Sequence, residues 1–371
     1  MRFLSLLLLS LPFTLATPLP AAFDLEGHRG GRGENSEETL FSYARALLAG
    51  VTTLELDVGI TSDGVPVVWH DEMIMKEKCI GEGVGEYIKE LSFEQVRCMS
   101  LAPFCWRLIV SLQVKALDCG SLRQTAFPRQ QIHPGARIQS LQQFFDFVKC
   151  ADDGEKVHFN IESKLSPPTP NTVSSNWDER GGETASEREG AALACWSRSV
   201  ETCPALRGLG AFTPSTPSCT HASLSLQTVG PQQFVDTLLS SYRSNNVLSR
   251  VTFQSFDWRT IIRAKEQEPS IVTVALIDAS DLRPIWTAGI DIEAQEGPDL
   301  AQKVAQAAKK ANADILSPSH GVGEVEVEGY VPFANKTMVD EAHKLGMKVV
   351  PYTPNSLFTG ECSAPRVRTG C

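Results

Sequence analysis

Four short charged motifs constrain this chain more than anything else in it. They are Gly27-His28-Arg29-Gly30, Glu55-Leu56-Asp57, Trp69-His70-Asp71 and Asn160-Ile161-Glu162-Ser163-Lys164. Each lies within, or just behind, an apolar run that reads as a strand. A chain that collects its charged residues at the ends of successive buried strands points to an α/β barrel, whose functional residues gather at one mouth. The wider pattern agrees, because short apolar strands alternate with helical stretches. The candidate strands are Phe23–His28, Thr53–Asp57, His158–Ser163, Arg250–Gln254, Ile271–Ile277, Asp314–Ser317 and Met347–Thr353. Helical periodicity covers Glu37–Ala49, Pro231–Arg243, Trp258–Lys265, Asp299–Ala311 and Lys336–Leu345. An extra strand, Val65–His70, follows the turn Ser62-Asp63-Gly64. The expectation is a TIM-type (β/α)8 barrel, incomplete at its eighth strand and carrying long insertions.

The motifs themselves define a chemistry. Glu55 and Asp57 are two apart on a strand, so they share a face and repel unless a cation sits between them. Glu162 and Lys164 repeat that spacing. Glu162 is placed to complete a metal site, and Lys164 to meet phosphate as a point charge. His28 and Arg29 precede a glycine-rich turn, Gly30-Gly31-Arg32-Gly33, which lets backbone approach an anion. His70 follows the apolar Val67-Val68-Trp69. Taken singly, each motif reads almost as well as a solvated edge, a compensated pair, an ordinary turn or a core histidine. Taken together they supply carboxylates for a hard divalent cation, cations for phosphate oxygens, and two histidines to move protons. That set suits cleavage of a phosphodiester.

The 371 residues suffice for one large domain or two ordinary ones. The opening Met1-Arg2-Phe3-Leu4, the apolar stretch to about Leu15 and the small-x-small Thr14-Leu15-Ala16 read as a secretory signal peptide over residues 1–16. A secreted, extracellular protein is therefore expected, without an integral membrane segment. The net charge of -10 argues against nucleic acid or an anionic membrane as main partner. No protein partner is evident. Ten cysteines in an exported chain permit disulfides. Asn335-Lys336-Thr337 is an N-glycosylation sequon. Three stretches break the α/β rhythm: Arg97–Gln113, Ser166–Gly230 and the tail Phe358–Cys371. They hold seven of the ten cysteines.

The segments HRGGRGENSEETL, LELDVGITSDGVPVVWHD and FNIESK, with the later VTFQSFDW, ADILSP and VVPYTPN, resemble the glycerophosphodiester phosphodiesterase family, its secreted fungal members in particular. The resemblance implies a TIM-type barrel over residues 22–357. It implies metal-dependent hydrolysis of small glycerophosphodiesters to glycerol 3-phosphate and an alcohol. It places paired catalytic histidines at His28 and His70, and one divalent cation, Mg or Ca, on Glu55, Asp57 and Glu162. Phosphate contacts fall to Arg29 and Lys164, with Glu37 and Tyr352 in support. Glu38 stands where the family usually has asparagine, and Tyr352 where it usually has tryptophan. Cys119 and Cys150 lie in family-like segments and are expected to pair. No family-like closing strand follows Asn355, and deleting Arg97–Val114 would restore a continuous family-like segment. Two alternatives follow: a phospholipase C- or sphingomyelinase D-like enzyme acting on lipids, and an inactive product of a mispredicted gene model.

Overall fold

The computed structural model of the protein describes residues 24–97, 117–152, 156–165, 227–279, 282–322 and 331–352. Its strands, numbered along the chain, are β1 Glu26–Gly27, β2 Thr53–Ile60, β3 Pro66–Val68, β4 His158–Ser163, β5 Val251–Ser255, β6 Val272–Ile277, β7 Ile315–Pro318, β8 Gly321–Val322, β9 Val331–Pro332 and β10 Lys348–Val349. The main sheet runs β1-β2-β4-β5-β6-β7-β10, every neighbouring pair parallel. Parallel neighbours need a crossover, and helices provide it. They are α1 Leu40–Ala49, α2 Phe93–Arg97, α3 Leu141–Ala151, α4 Pro231–Ser244, α5 Trp258–Gln267, α6 Leu300–Lys310 and α7 Lys336–Lys344. β3 pairs antiparallel with β2, and β8 with β9. Among the described residues the sheet is open, with β1 and β10 at its ends. Its seven parallel strands match the number expected.

β2 is buried along its whole length, as a strand covered on both faces by parallel neighbours and helices should be. The main core joins Leu54, Leu56, Phe144, Phe159, Phe253 and Trp258 to the inner faces of the helices. A smaller cluster lies apart, around Val67, Trp69, Ile74, Ile88, Val96, Leu117 and Ile138. Most of its members sit in loops rather than in the sheet.

Several expectations need correction. The helix expected from Glu37 begins at Leu40, because Glu38 takes a left-handed backbone (φ 57°) and Thr39 accepts the Ser42 N–H as N-cap. The helix α3 was not foreseen, although Ser140 and Gln143 form a capping box at its start. The Cys119–Cys150 pairing is wrong. Cys119 is bonded to Cys79, with Cα atoms 4.0 Å apart, and Cys150 is a free, exposed cysteine on α3. The cause is local register. Ile80 and Asp118 exchange backbone hydrogen bonds as an antiparallel bridge, which sets Cys79 directly opposite Cys119. Asn335 of the sequon caps α7 through its side-chain oxygen, which accepts the Met338 N–H. Residues 1–16, most of the inserts 97–113 and 166–230, and the tail 358–371 lie outside the described residues. No helix among the described residues is long and apolar enough to cross a membrane.

Candidate active site

The strand register assembles the acids. Asp57 on β2 lies directly beside Glu162 on β4, and Glu162 beside Gln254 on β5. Ligand atoms of Glu55, Asp57 and Glu162 all fall within 4.8 Å of one another, and all three residues are buried. Gln254 donates to Glu55 Oε1 at 3.0 Å, and Lys164 donates to Glu162 Oε1 at 2.7 Å. Both side-chain oxygens of Asp57 are buried with no hydrogen-bond partner. Among the ion pairs of the described residues, they face the Arg29 Nε at 3.1 Å and the Lys164 Nζ at 3.7 Å. Three hard oxygen donors around an unsatisfied carboxylate fit a divalent cation such as Mg²⁺ or Ca²⁺.

The first motif folds onto this cluster as a strained turn. Arg29 (φ 51°) and Gly30 (φ 76°) are both left-handed. At Gly30 a Cβ would lie 2.6 Å from Ser42 Oγ, so only glycine fits against the start of α1. The turn aims the Arg29 N–H at Glu55 Oε2 (2.8 Å) and its guanidinium at Glu37 Oε1 (3.1 Å). His28 Nε2 stands 3.8 Å from Glu55 Oε2. The Gly30 and Gly31 amides donate to Gly27 O and Ser42 O, so they are spent inside the protein and cannot cradle an anion as the glycine-rich sequence implied.

Burial and charge set the protonation. Burial raises Glu55, with the charge of Asp57 next, and burial pushes Glu162 up to about 7 against the pull of Lys164. Burial would raise Asp57 as well, but His70, Lys164 and Arg29 together hold it well below the usual carboxylate range. His28 is pushed down to about 3 by burial, then by Arg32 and Arg29. Burial likewise lowers His70, although Asp57 opposes it. Both histidines are thus neutral near pH 7, the form that accepts a proton.

His70 Nδ1 lies 2.9 Å from Asp71 Oδ1. Burial would raise Asp71, but His70 and Lys78 bring it down to about 2. Tyr352 donates to Asp278 Oδ2 at 2.7 Å and packs edge-on to Phe256 at 5.4 Å between ring centres. Lys164 lies 5.9 Å over the same Phe256 ring. Three contributors were missed in the sequence. Glu38 accepts the Asp57 N–H at 2.9 Å, Gln254 holds Glu55, and Lys78 joins Glu37 to Asp71. Two of them carried a signal: Gln254 as a long polar side chain within the strand Val251–Ser255, and Glu38 as a departure from the family's usual asparagine.

Comparison with known proteins bears on this geometry. The model of the "Glycerophosphoryl diester phosphodiesterase family" matches residues 28–201 and 227–357. The chain belongs to that family. A rat protein named glycerophosphodiester phosphodiesterase 1 is 41% identical over 75 residues, which is 20% of this chain and 22% of that protein. The human lysophospholipase D GDPD1 is 38% identical over 92 residues, 25% of this chain and 26% of that protein. The aligned region thus spans about a quarter of these curated relatives. A Silicibacter pomeroyi protein assigned to the glycerophosphoryl diester phosphodiesterases has a crystal structure that superposes with a TM-score of 0.56 at 22% identity. That superposition covers 90% of this chain and 84% of that one. The likeness shows the fold, a TIM-type α/β barrel, here open among the described residues.

Proposed function

We propose that this family member hydrolyses small glycerophosphodiesters to glycerol 3-phosphate and an alcohol, using one divalent cation. The reading rests on the buried Glu55–Asp57–Glu162 cluster with its unsatisfied Asp57 oxygens, flanked by Arg29 and Lys164. Glu55, Asp57 and Glu162 hold the cation, which when bound offsets charge building on the phosphate. Arg29 and Lys164 orient the phosphate and add positive charge where the transition state gains negative charge. One of His28 and His70 takes a proton from the attacking hydroxyl, whether of water or of the substrate's own glycerol. The other, once the anionic phosphate bound beside it favours its protonated form, gives that proton to the departing alkoxide, a poor leaving group without one. Glu37 fixes the Arg29 guanidinium, and Tyr352 lines the mouth with Phe256. A secreted protein of the fungal type, with a leader at residues 1–16 and a barrel over 22–357, completes the proposal.

A second reading keeps the site and changes the substrate. Relatives named lysophospholipase D favour a lipid-derived diester. Turnover of glycerophosphocholine, set beside that of lysophosphatidylcholine, separates the two. In either case excess EDTA should abolish turnover and added Mg²⁺ or Ca²⁺ should restore it. Asp57→Asn, similar in shape but uncharged, should lower kcat by more than the roughly 10–100-fold typical of outer-shell changes. Full activity in EDTA would sink the metal assignment. No turnover of any diester by the metal-loaded chain would favour the inactive gene product.

A further inference from the structure

Lys78 belongs to none of the motifs that define the site, yet it is tied to one of them and to Glu37, which holds Arg29 of another. Its Nζ contacts Glu37 Oε1 at 2.6 Å and pairs with Asp71 Oδ2. It lies 5.4 Å over the ring of Trp69, the residue before His70. Its side chain is only 16% exposed, which separates it from its solvated neighbour Lys76 at 82%. Asp71 offers its other oxygen, Oδ1, to His70 Nδ1. An ionised carboxylate can only accept, so Nδ1 carries the hydrogen and Nε2 is left with the free lone pair. Without Lys78, Glu37 keeps Arg29 and Arg32. Asp71 keeps no cation but His70 itself among the ion pairs of the described residues.

The loop that carries Lys78 is held from outside the sheet. The Lys78 and Cys79 amides both donate to Met75 O, and the next residue exchanges hydrogen bonds with Asp118. Cys79 itself is bonded to Cys119. Cys119 is anchored in turn by its N–H to Ala136 O, and Asp118 accepts from the Gly120, Ser121 and Gly135 amides.

We propose that Lys78 is a positioning residue for His70, fixing its tautomer through Asp71, and that the Cys79–Cys119 disulfide holds Lys78 in place. The role assigned to His70 rests on the functional reading above, but the tautomer does not. The experiment therefore reads both. In ¹⁵N-histidine-labelled protein, long-range ¹H–¹⁵N spectra distinguish the two neutral tautomers, and His70→Asn identifies the His70 signals. Wild type and Lys78→Arg should show the Nδ1–H form alone. Lys78→Met should show both forms and lose about 10–100-fold in kcat on glycerophosphocholine, with KM unchanged, the usual scale for outer-shell partners. Lys78→Gln, which keeps a polar chain of similar reach, replaces Lys78→Met if the latter does not fold by circular dichroism. The Cys79→Ser/Cys119→Ser double variant should also show mixed tautomers. Retention of a pure Nδ1–H form in the folded Lys78 variants overturns the proposal, and retention in the cysteine variant removes the disulfide from it. A wild-type chain that cleaves no diester would refute the functional reading while leaving the spectra to decide on Lys78.

Discussion

The main core and the small cluster beside it differ in how they are closed. Leu54, Leu56, Phe144, Phe159, Phe253 and Trp258 are enclosed by parallel strands and amphipathic helices, with no disulfide among the described residues of that core. Val67, Trp69, Ile74, Ile88, Leu117 and Ile138 are gathered mostly from loops, and the Cys79–Cys119 bond lies among them. Few apolar side chains are available there to offset the entropy of ordering so much irregular chain, so a covalent link has more to contribute. The division reaches the site. Glu55, Asp57, Glu162 and Gln254 stand on barrel strands, whereas His70, Asp71 and Lys78 stand on the loop side. The barrel thus carries the acidic cluster, and the loop region carries one of the two histidines proposed to move protons.

The largest test of that division is kinetic. His28→Ala, at the barrel end of β1, and His70→Ala, on the loop side, should each lower kcat by about 10²–10⁴, the usual worth of acid–base catalysis. The double variant should be little worse than either single, since the two act as a unit. Near-normal turnover in one single variant would take that histidine out of the mechanism and break the symmetry between the two regions.

Stability should separate the regions next. Phe144→Ala in the fully buried main core should cost about 3–5 kcal/mol in urea unfolding. Cys79→Ser/Cys119→Ser should cost about 2–4 kcal/mol, because the bond closes a long loop in the unfolded chain. If the cysteine variant loses nothing, packing alone closes the small cluster, and the two regions do not differ in how they are held.

The smallest effect is a pH dependence confined to the barrel. Glu162 is raised above its ordinary 4.5 to about 7. In metal-free protein its contribution to stability is therefore complete below pH 4.5 and is lost as pH rises through 7. A bound cation must displace the Glu162 proton, so metal affinity should climb over the same window. Calorimetric titration of Mg²⁺ near pH 6, in two buffers of different ionisation enthalpy, should reveal proton release. Identical heats in the two buffers would mean that Glu162 is already ionised or is not a ligand.

Much of the barrel was legible in the sequence, because strand chemistry repeats every second residue. Glu55, Asp57 and Glu162 share a face by that rule, and the register of β2 with β4 then brings them together. What escaped notice depends on loops. Glu38 reads as an early helix residue until its left-handed backbone turns it under Asp57. Lys78 sits in a polar stretch with no period, and its partners are 7 and 41 residues away. Cys79 meets Cys119 only because the Ile80–Asp118 bridge sets them opposite each other, a pairing that neither local sequence encodes.

The same disulfide has a consequence for how this gene product can vary. Cys79 and Cys119 are 40 residues apart, so their bond turns the intervening chain into a covalent ring. The ring is pinned on one side by Val96 and on the other by Leu117, both packed in the small cluster. Residues added between those two points enlarge the ring while both anchors stay packed in the small cluster. Length changes between those anchors therefore alter the ring and not the strand register that assembles Glu55, Asp57 and Glu162.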